Sequence, residues 1–213
     1  MHGLLLSLLL ILPRQPSVRR RLPPPVSKGV QEKPFLAATR AQAMRGGAKA
    51  QFDLGVMYAF GQGVPKNDLE AVKWYRKAAE QGYAKAQYNL GVCSDFGRGL
   101  PKDNAEAVRW YRKAAGQGHA KAEFNLGVSY KYGQGVTRDA AEAYAWFSLA
   151  ATGGEKKALA SREEVALELS PQDLERALAR ARELQEGIQA AKPKPRRSAG
   201  HFLRKSKRKR SAH

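Results

Sequence analysis

Four kinds of side chain recur along this chain at an interval of 36 residues, and their chemistry is that of recognition. Lysines stand at Lys49, Lys85 and Lys121, and rings at Phe52, Tyr88 and Phe124. A carboxylate or carboxamide follows each ring, at Asp53, Asn89 and Asn125, and a valine follows at Val56, Val92 and Val128. Ammonium groups bind carboxylates, side-chain amides bond a peptide backbone as both donor and acceptor, and rings supply flat apolar area. Reactive chemistry is scarcer. His2, His201 and His213 fall in the terminal segments, while His119 closes a repeat at the position of Tyr83 and Glu155 and reads as a surface loop residue. The single cysteine, Cys93, is in phase with Met57 and Ser129 and reads as a small packing residue. Gly-x-Gly occurs three times but follows helical rather than strand patterns, which makes it a turn and not a phosphate cradle. No Ser/His/Asp set, metal-ligand spacing or paired-carboxylate site stands out. The chain therefore reads as non-enzymatic, with no cofactor and no small-molecule substrate.

The elements that carry these residues are three contiguous units in register, 48–83, 84–119 and 120–155. Self-similarity at such a period marks a solenoid, in which each unit covers the apolar face of its neighbour. Each unit parses as two helices. In the first unit a helix is expected from Ala48 to Phe60, with Ala50, Leu54 and Tyr58 on one face. Gly55, Gly91 and Gly127 lie inside the first helices, where glycine costs about 1 kcal/mol relative to alanine, so their recurrence predicts close approach of the second helix. Gly61-Gln62-Gly63 ends the helix and Val64-Pro65 is extended. Asn67 or Asp68 caps the second helix, as do Asp103 and Asp139 later, and Ala71, Trp74, Tyr75, Ala78 and Ala79 face the stack.

The combined pattern, A-x-x-x-L-G-x-x-Y-x-x-G-x-G-V-x-x-D-x-x-x-A-x-x-W-Y-x-K-A-A-x-x-G, resembles the Sel1-like repeat, a relative of the tetratricopeptide repeat. The resemblance spans Ala48 to about Gly154. It implies an all-α fold, a right-handed α/α superhelical solenoid, and an adaptor surface on which protein complexes assemble. Two departures stand out. Ser94 replaces the expected tyrosine, which predicts looser packing in the middle unit, and Phe147, Ser148 and Leu149 replace Tyr-Arg-Lys in the third.

In tetratricopeptide-like solenoids the first helices line a concave groove. That implication places Lys49, Phe52, Asp53, Val56, Ala59 and Phe60 inward, and their counterparts one and two periods on. The four recurring groups above form the candidate partner-binding set, fit for a protein or an extended peptide. The bland readings stand beside it. Phe60, Phe96 and Tyr132, next to the glycine turn, are expected to pack. The Phe52 ladder is open between packing and groove, and the lysines read first as solvated surface.

The flanks read as caps. Gly46 and Ala43 fall in phase with Gly82 and Ala79, so 35–47 is a partial second helix over the first unit. Residues 156–190 read as two capping helices. The first runs over 156–169. The second opens at Ser170-Pro171-Gln172-Asp173 and continues to about Ile188, with Leu174, Leu178 and Ala181 on one face. Charge concentrates at the ends. The chain has 38 basic and 19 acidic residues, but 35–190 carries only 22 against 18. The tail, 191–213, holds 10 Lys/Arg and no acid, and has too few apolar residues to fold. Arg204, Lys205, Lys207, Arg208, Lys209 and Arg210 form a generic contact for nucleic acid or an anionic surface. The N-terminal segment, 1–34, is basic and proline-rich, and it reads as unfolded. Its apolar run Leu4–Leu12 is too short to span a bilayer and long enough for a signal-peptide core. Arg19-Arg20-Arg21 after that run opposes export. The balance favours the cytoplasm, with secretion or a periplasmic location as the outcome if the run acts as a signal.

Overall fold

The computed structural model describes residues 34–191. The expectations for Leu4–Leu12 and for the cluster from Arg204 to Arg210 lie outside the described residues. Among the described residues the elements are α1 (Pro34–Met44), α2 (Ala48–Phe60), α3 (Asp68–Glu80), α4 (Ala84–Phe96), α5 (Asn104–Ala115), α6 (Ala120–Tyr132), α7 (Ala140–Thr152), α8 (Ala158–Ala166) and α9 (Pro171–Ala191). The fold is an all-α solenoid in which each helix from α1 to α7 packs on the next, and both α8 and α9 pack on α7.

Local chemistry sets the helix ends. Gly61, Gly97 and Gly133 close α2, α4 and α6 in the left-handed region, at φ of 70, 67 and 68°. Asn67, Asp103 and Asp139 cap α3, α5 and α7, their side chains accepting from the backbone N–H three residues on at 3.0, 2.8 and 3.0 Å. Asp103→Ala should cost about 1 kcal/mol, read as a lower urea midpoint with an unchanged m-value.

The mid-helix glycines answer to packing. A Cβ on Gly55 would sit 2.6 Å from the Tyr75 ring, one on Gly91 2.6 Å from Tyr111, and one on Gly127 2.5 Å from Phe147. The middle unit does not loosen at Ser94. That residue is fully buried, its hydroxyl donates to the Leu90 carbonyl at 3.1 Å, and the glycine–ring approach matches the first unit. A second recurring device joins units. The Gln51 amide donates to the Ala43 carbonyl at 3.1 Å and its oxygen accepts from Gln81 at 2.7 Å, and Gln87 repeats both bonds with Ala79 and Gln117.

Both ends of the stack are covered. Leu36 and Ala43 of α1 join the cluster of Ala50, Leu54, Met57 and Trp74. At the other end α7 is covered on two flanks: Phe147 packs with Val165 of α8, and Trp146 and Leu149 with Ile188 of α9. The third unit has lost Arg-Lys because that face is buried here, where the charged residues of the earlier units meet solvent. The buried side of α9 is Ala177 and Ile188, flanked by Ala181 and Leu184; Leu178 is exposed, which corrects the expected face. Arg180 reaches Glu142 at 2.7 Å and Arg176 reaches Asp139 at 3.5 Å, so two of the helix's arginines clamp the start of α7. Gly187 lies in α9 with open space around it. Gly187→Ala should add about 0.5–1 kcal/mol of stability, seen as a raised melting temperature.

Candidate protein-interaction surface

Helices α2, α4 and α6 each bury one side and leave the same stripe open. In α2 it is Lys49, Asp53, Val56 and Phe60, at i, i+4, i+7 and i+11, with the two ends exposed and the middle half-buried. The stripe repeats as Lys85, Asn89, Val92, Phe96 and as Lys121, Asn125, Val128, Tyr132.

The middle of the stripe is engaged within the fold. Phe52 lies 5.9 Å from Tyr75 and 5.3 Å from Tyr83, Tyr88 lies 6.1 Å from Tyr111, and Phe124 lies 5.4 Å from Phe147. Val56, Val92 and Val128 border the buried clusters. Asn89 acts on the Tyr75 phenol and Asn125 on the Tyr111 phenol, one unit back, each favouring the ionised form. Burial pushes the Tyr75 phenol up to about 12. In the first unit Asp53 binds Lys49 at 2.7 Å, which holds the lysine above its ordinary range. The amides that could bond a peptide backbone thus stand beside tyrosines of the preceding unit.

The ends of the stripe are free. Lys85 and Lys121 are exposed. Phe60, Phe96 and Tyr132 are 71, 64 and 60% exposed, which overturns the expectation that they pack. They are the last residues of their helices, each followed directly by a left-handed glycine. Phe96 carries the Arg98 guanidinium 5.4 Å from its centroid, and Tyr132 carries the Lys131 ammonium at 5.2 Å.

His119 is not the loose surface residue its position suggests. It is half-buried, stacks on Tyr88 at 4.8 Å, and its Nδ1 is buried without a hydrogen-bond partner. Burial chiefly, then the charges of Lys121 and Lys85, lower its pKa from 6.5. The neutral ring's contribution to stability is fully present above 6.5 and is lost as pH falls toward the lowered folded value. Between pH 7.5 and 5.5 the wild type should therefore lose stability that His119→Phe keeps, at no more than ~1.4 kcal/mol per pH unit, measured by urea melts. Cys93 is buried among apolar groups, which pushes its thiol up to about 11 and leaves it protonated at neutral pH. Among the described residues no three His, Cys, Asp or Glu side chains gather as metal ligands, and no helix is long and apolar enough to cross a membrane.

The Sel1 repeat model matches residues 48–83, 84–119 and 120–155, just over half of the chain. The chain belongs to the Sel1 repeat family. Its structure is similar to a Sel1 repeat protein from Oxalobacter formigenes, at 38% identity and a TM-score of 0.57 over 61% of this chain and 98% of that one. It is also similar to a protective antigen of uropathogenic Escherichia coli strains displaying an SLR fold, at 29% identity and a TM-score of 0.55 over 79% of this chain. This chain spans only 46% of that antigen's length. Helicobacter pylori cysteine rich protein B shares the fold at 20% identity and a TM-score of 0.51, over 62% of this chain and 97% of that one. No curated protein matches the sequence significantly. All three Sel1 units of this chain keep the glycine–ring contact, the first two keep the glutamine–glutamine bond, and α2, α4 and α6 each present exposed side chains at their two ends.

Proposed function

We propose that this Sel1 repeat protein is a non-enzymatic adaptor that holds a partner protein or peptide against the open stripe of α2, α4 and α6. Repeats of this family generally act as protein-interaction scaffolds. One observation carries the assignment to this stripe: a large ring stands exposed at the same place in three successive units, at Phe60, Phe96 and Tyr132. Exposed large apolar groups that line up in a contiguous row mark interaction sites, whereas scattered ones do not. Aromatic residues also dominate binding energy at protein interfaces.

The test is affinity capture with the full chain from nuclease-treated extract, beside the variant Lys49→Glu, Lys85→Glu, Lys121→Glu. The variant should lose its protein partners while helicity stays unchanged and melting falls only slightly, since all three side chains are solvent-exposed and only the Lys49–Asp53 pair is broken. Unaltered capture refutes a role for these lysines. A second reading rests on the 10 basic residues of 191–213, which suit nucleic acid or an anionic surface. Partners that survive the triple reversal but are stripped by moderate salt would favour it.

A further inference from the structure

The adaptor reading leaves the chemistry of the partner open, and the charge pattern at the head of the stripe narrows it. In the first unit the lysine is satisfied within the chain, by Asp53. At the same step of the next two units the acid is replaced by Asn89 and Asn125, which carry no charge to pair with Lys85 or Lys121. Lys85 and Lys121 are left exposed, Lys121 two residues beyond His119 and Lys85 lining one cleft with it, and both charges act on the ring. Beside Lys85 and His119 lies a cleft of about 350 Å³, which Tyr83 and Gln117 also line. Neither α4 nor α6 has a side-chain cap, so their first-turn amides point their positive ends toward the same region. At the far end of the helices, roughly 16 Å away at 1.5 Å per residue, stand Phe60, Phe96 and Tyr132.

We infer that the partner segment is acidic and apolar together: its carboxylates meet Lys85 and Lys121 around the His119 cleft, and its aromatic or aliphatic side chains cover Phe60, Phe96 and Tyr132. This rests on the adaptor reading. A purely acidic segment leaves the rings wet, and a purely apolar one leaves two lysines desolvated without a counter-charge, which is costly. Charge complementarity also sets the approach, since Lys85 and Lys121 stand exposed at one end of the stripe and the Arg98 guanidinium lies over Phe96 at the other, whereas Lys131 beside Tyr132 is already paired with Glu164 at 2.6 Å.

The experiment is fluorescence anisotropy on the full chain with three labelled peptides, repeating Asp-Phe-Glu-Leu, Lys-Phe-Lys-Leu and Asp-Ser-Glu-Ser. The first should bind, and each of the others should bind at least roughly tenfold more weakly. Lys85→Glu with Lys121→Glu should weaken the first peptide by about tenfold or more, and so should Phe60→Ala with Phe96→Ala and Tyr132→Ala. Both variants keep the basic tail, which separates groove binding from tail binding. Equal binding of the Asp-Ser-Glu-Ser peptide, or no loss in either variant, overturns the inference and assigns the affinity to the tail. If the triple lysine reversal abolishes cellular capture while the Asp-Phe-Glu-Leu peptide fails to bind, the adaptor reading stands and the partner chemistry proposed here falls.

Discussion

Gly91→Ala will destabilise the protein by about 2–3 kcal/mol, although alanine is the better helix former by about 1 kcal/mol. The added Cβ would meet two Tyr111 ring carbons at 2.6 Å and the Ala107 carbonyl oxygen at 3.2 Å. Tyr111 is fully buried and its hydroxyl donates to Asp95 at 3.2 Å, so the ring is held at both ends. Relief therefore requires α5 to move away from α4, which opens the core of the middle unit. The same substitution at Gly187, in open space, should have the opposite sign. Urea denaturation of the pair tests the packing account internally. Two substitutions of one kind in helix interiors should shift the midpoint in opposite directions, and a stabilised Gly91→Ala would show that the two helices do not approach as described.

Opening the C-terminal cap should have an effect of similar size. Ile188→Ala is expected to cost about 2–4 kcal/mol and Val165→Ala about 1.5–3 kcal/mol. Ile188 is buried against Trp146 and Leu149, and Val165 against Phe147 and Ala143. The two side chains cover opposite flanks of α7, so the losses should be close to additive. Together they approach the net stability of an ordinary domain, about 5–15 kcal/mol. In a stack where each unit leans on its neighbour, the damage should begin at one end. Hydrogen exchange should therefore show α7, α8 and α9 losing protection while α2 and α3 keep theirs. Uniform loss along the chain would mean that the repeats unfold as one cooperative block.

The helices and their joints were legible in the sequence because their causes are local and repeated. The cap at Asp103, the left-handed stop at Gly61 and the inward Trp74, Tyr75 and Ala78 all follow from residue type and phase, and three copies of each fix the register. What was not legible depended on neighbours. Periodicity shows that Phe60 shares a stripe with Lys49, but not that the ring is left in water. In α9 both Ala177 and Leu178 lie on apolar stripes that include Leu174 and Ala181, and only the surface of α7 selects the one with alanine. His119 reads as a loop residue because it follows Gly118, yet Tyr88 one unit back supplies a ring to stack on. The loss of Arg-Lys from the third unit was visible as a departure, and its cause was not. A buried face erases charge in the same way as repeat decay.

Site-directed photo-crosslinking in living cells tests the central claim most directly. Benzoylphenylalanine would replace Phe96, exposed at the foot of α4, or Arg109, exposed on α5. The adaptor account predicts a discrete protein adduct from position 96 and none from position 109. Adducts of equal strength from both positions, or from position 109 alone, would contradict it.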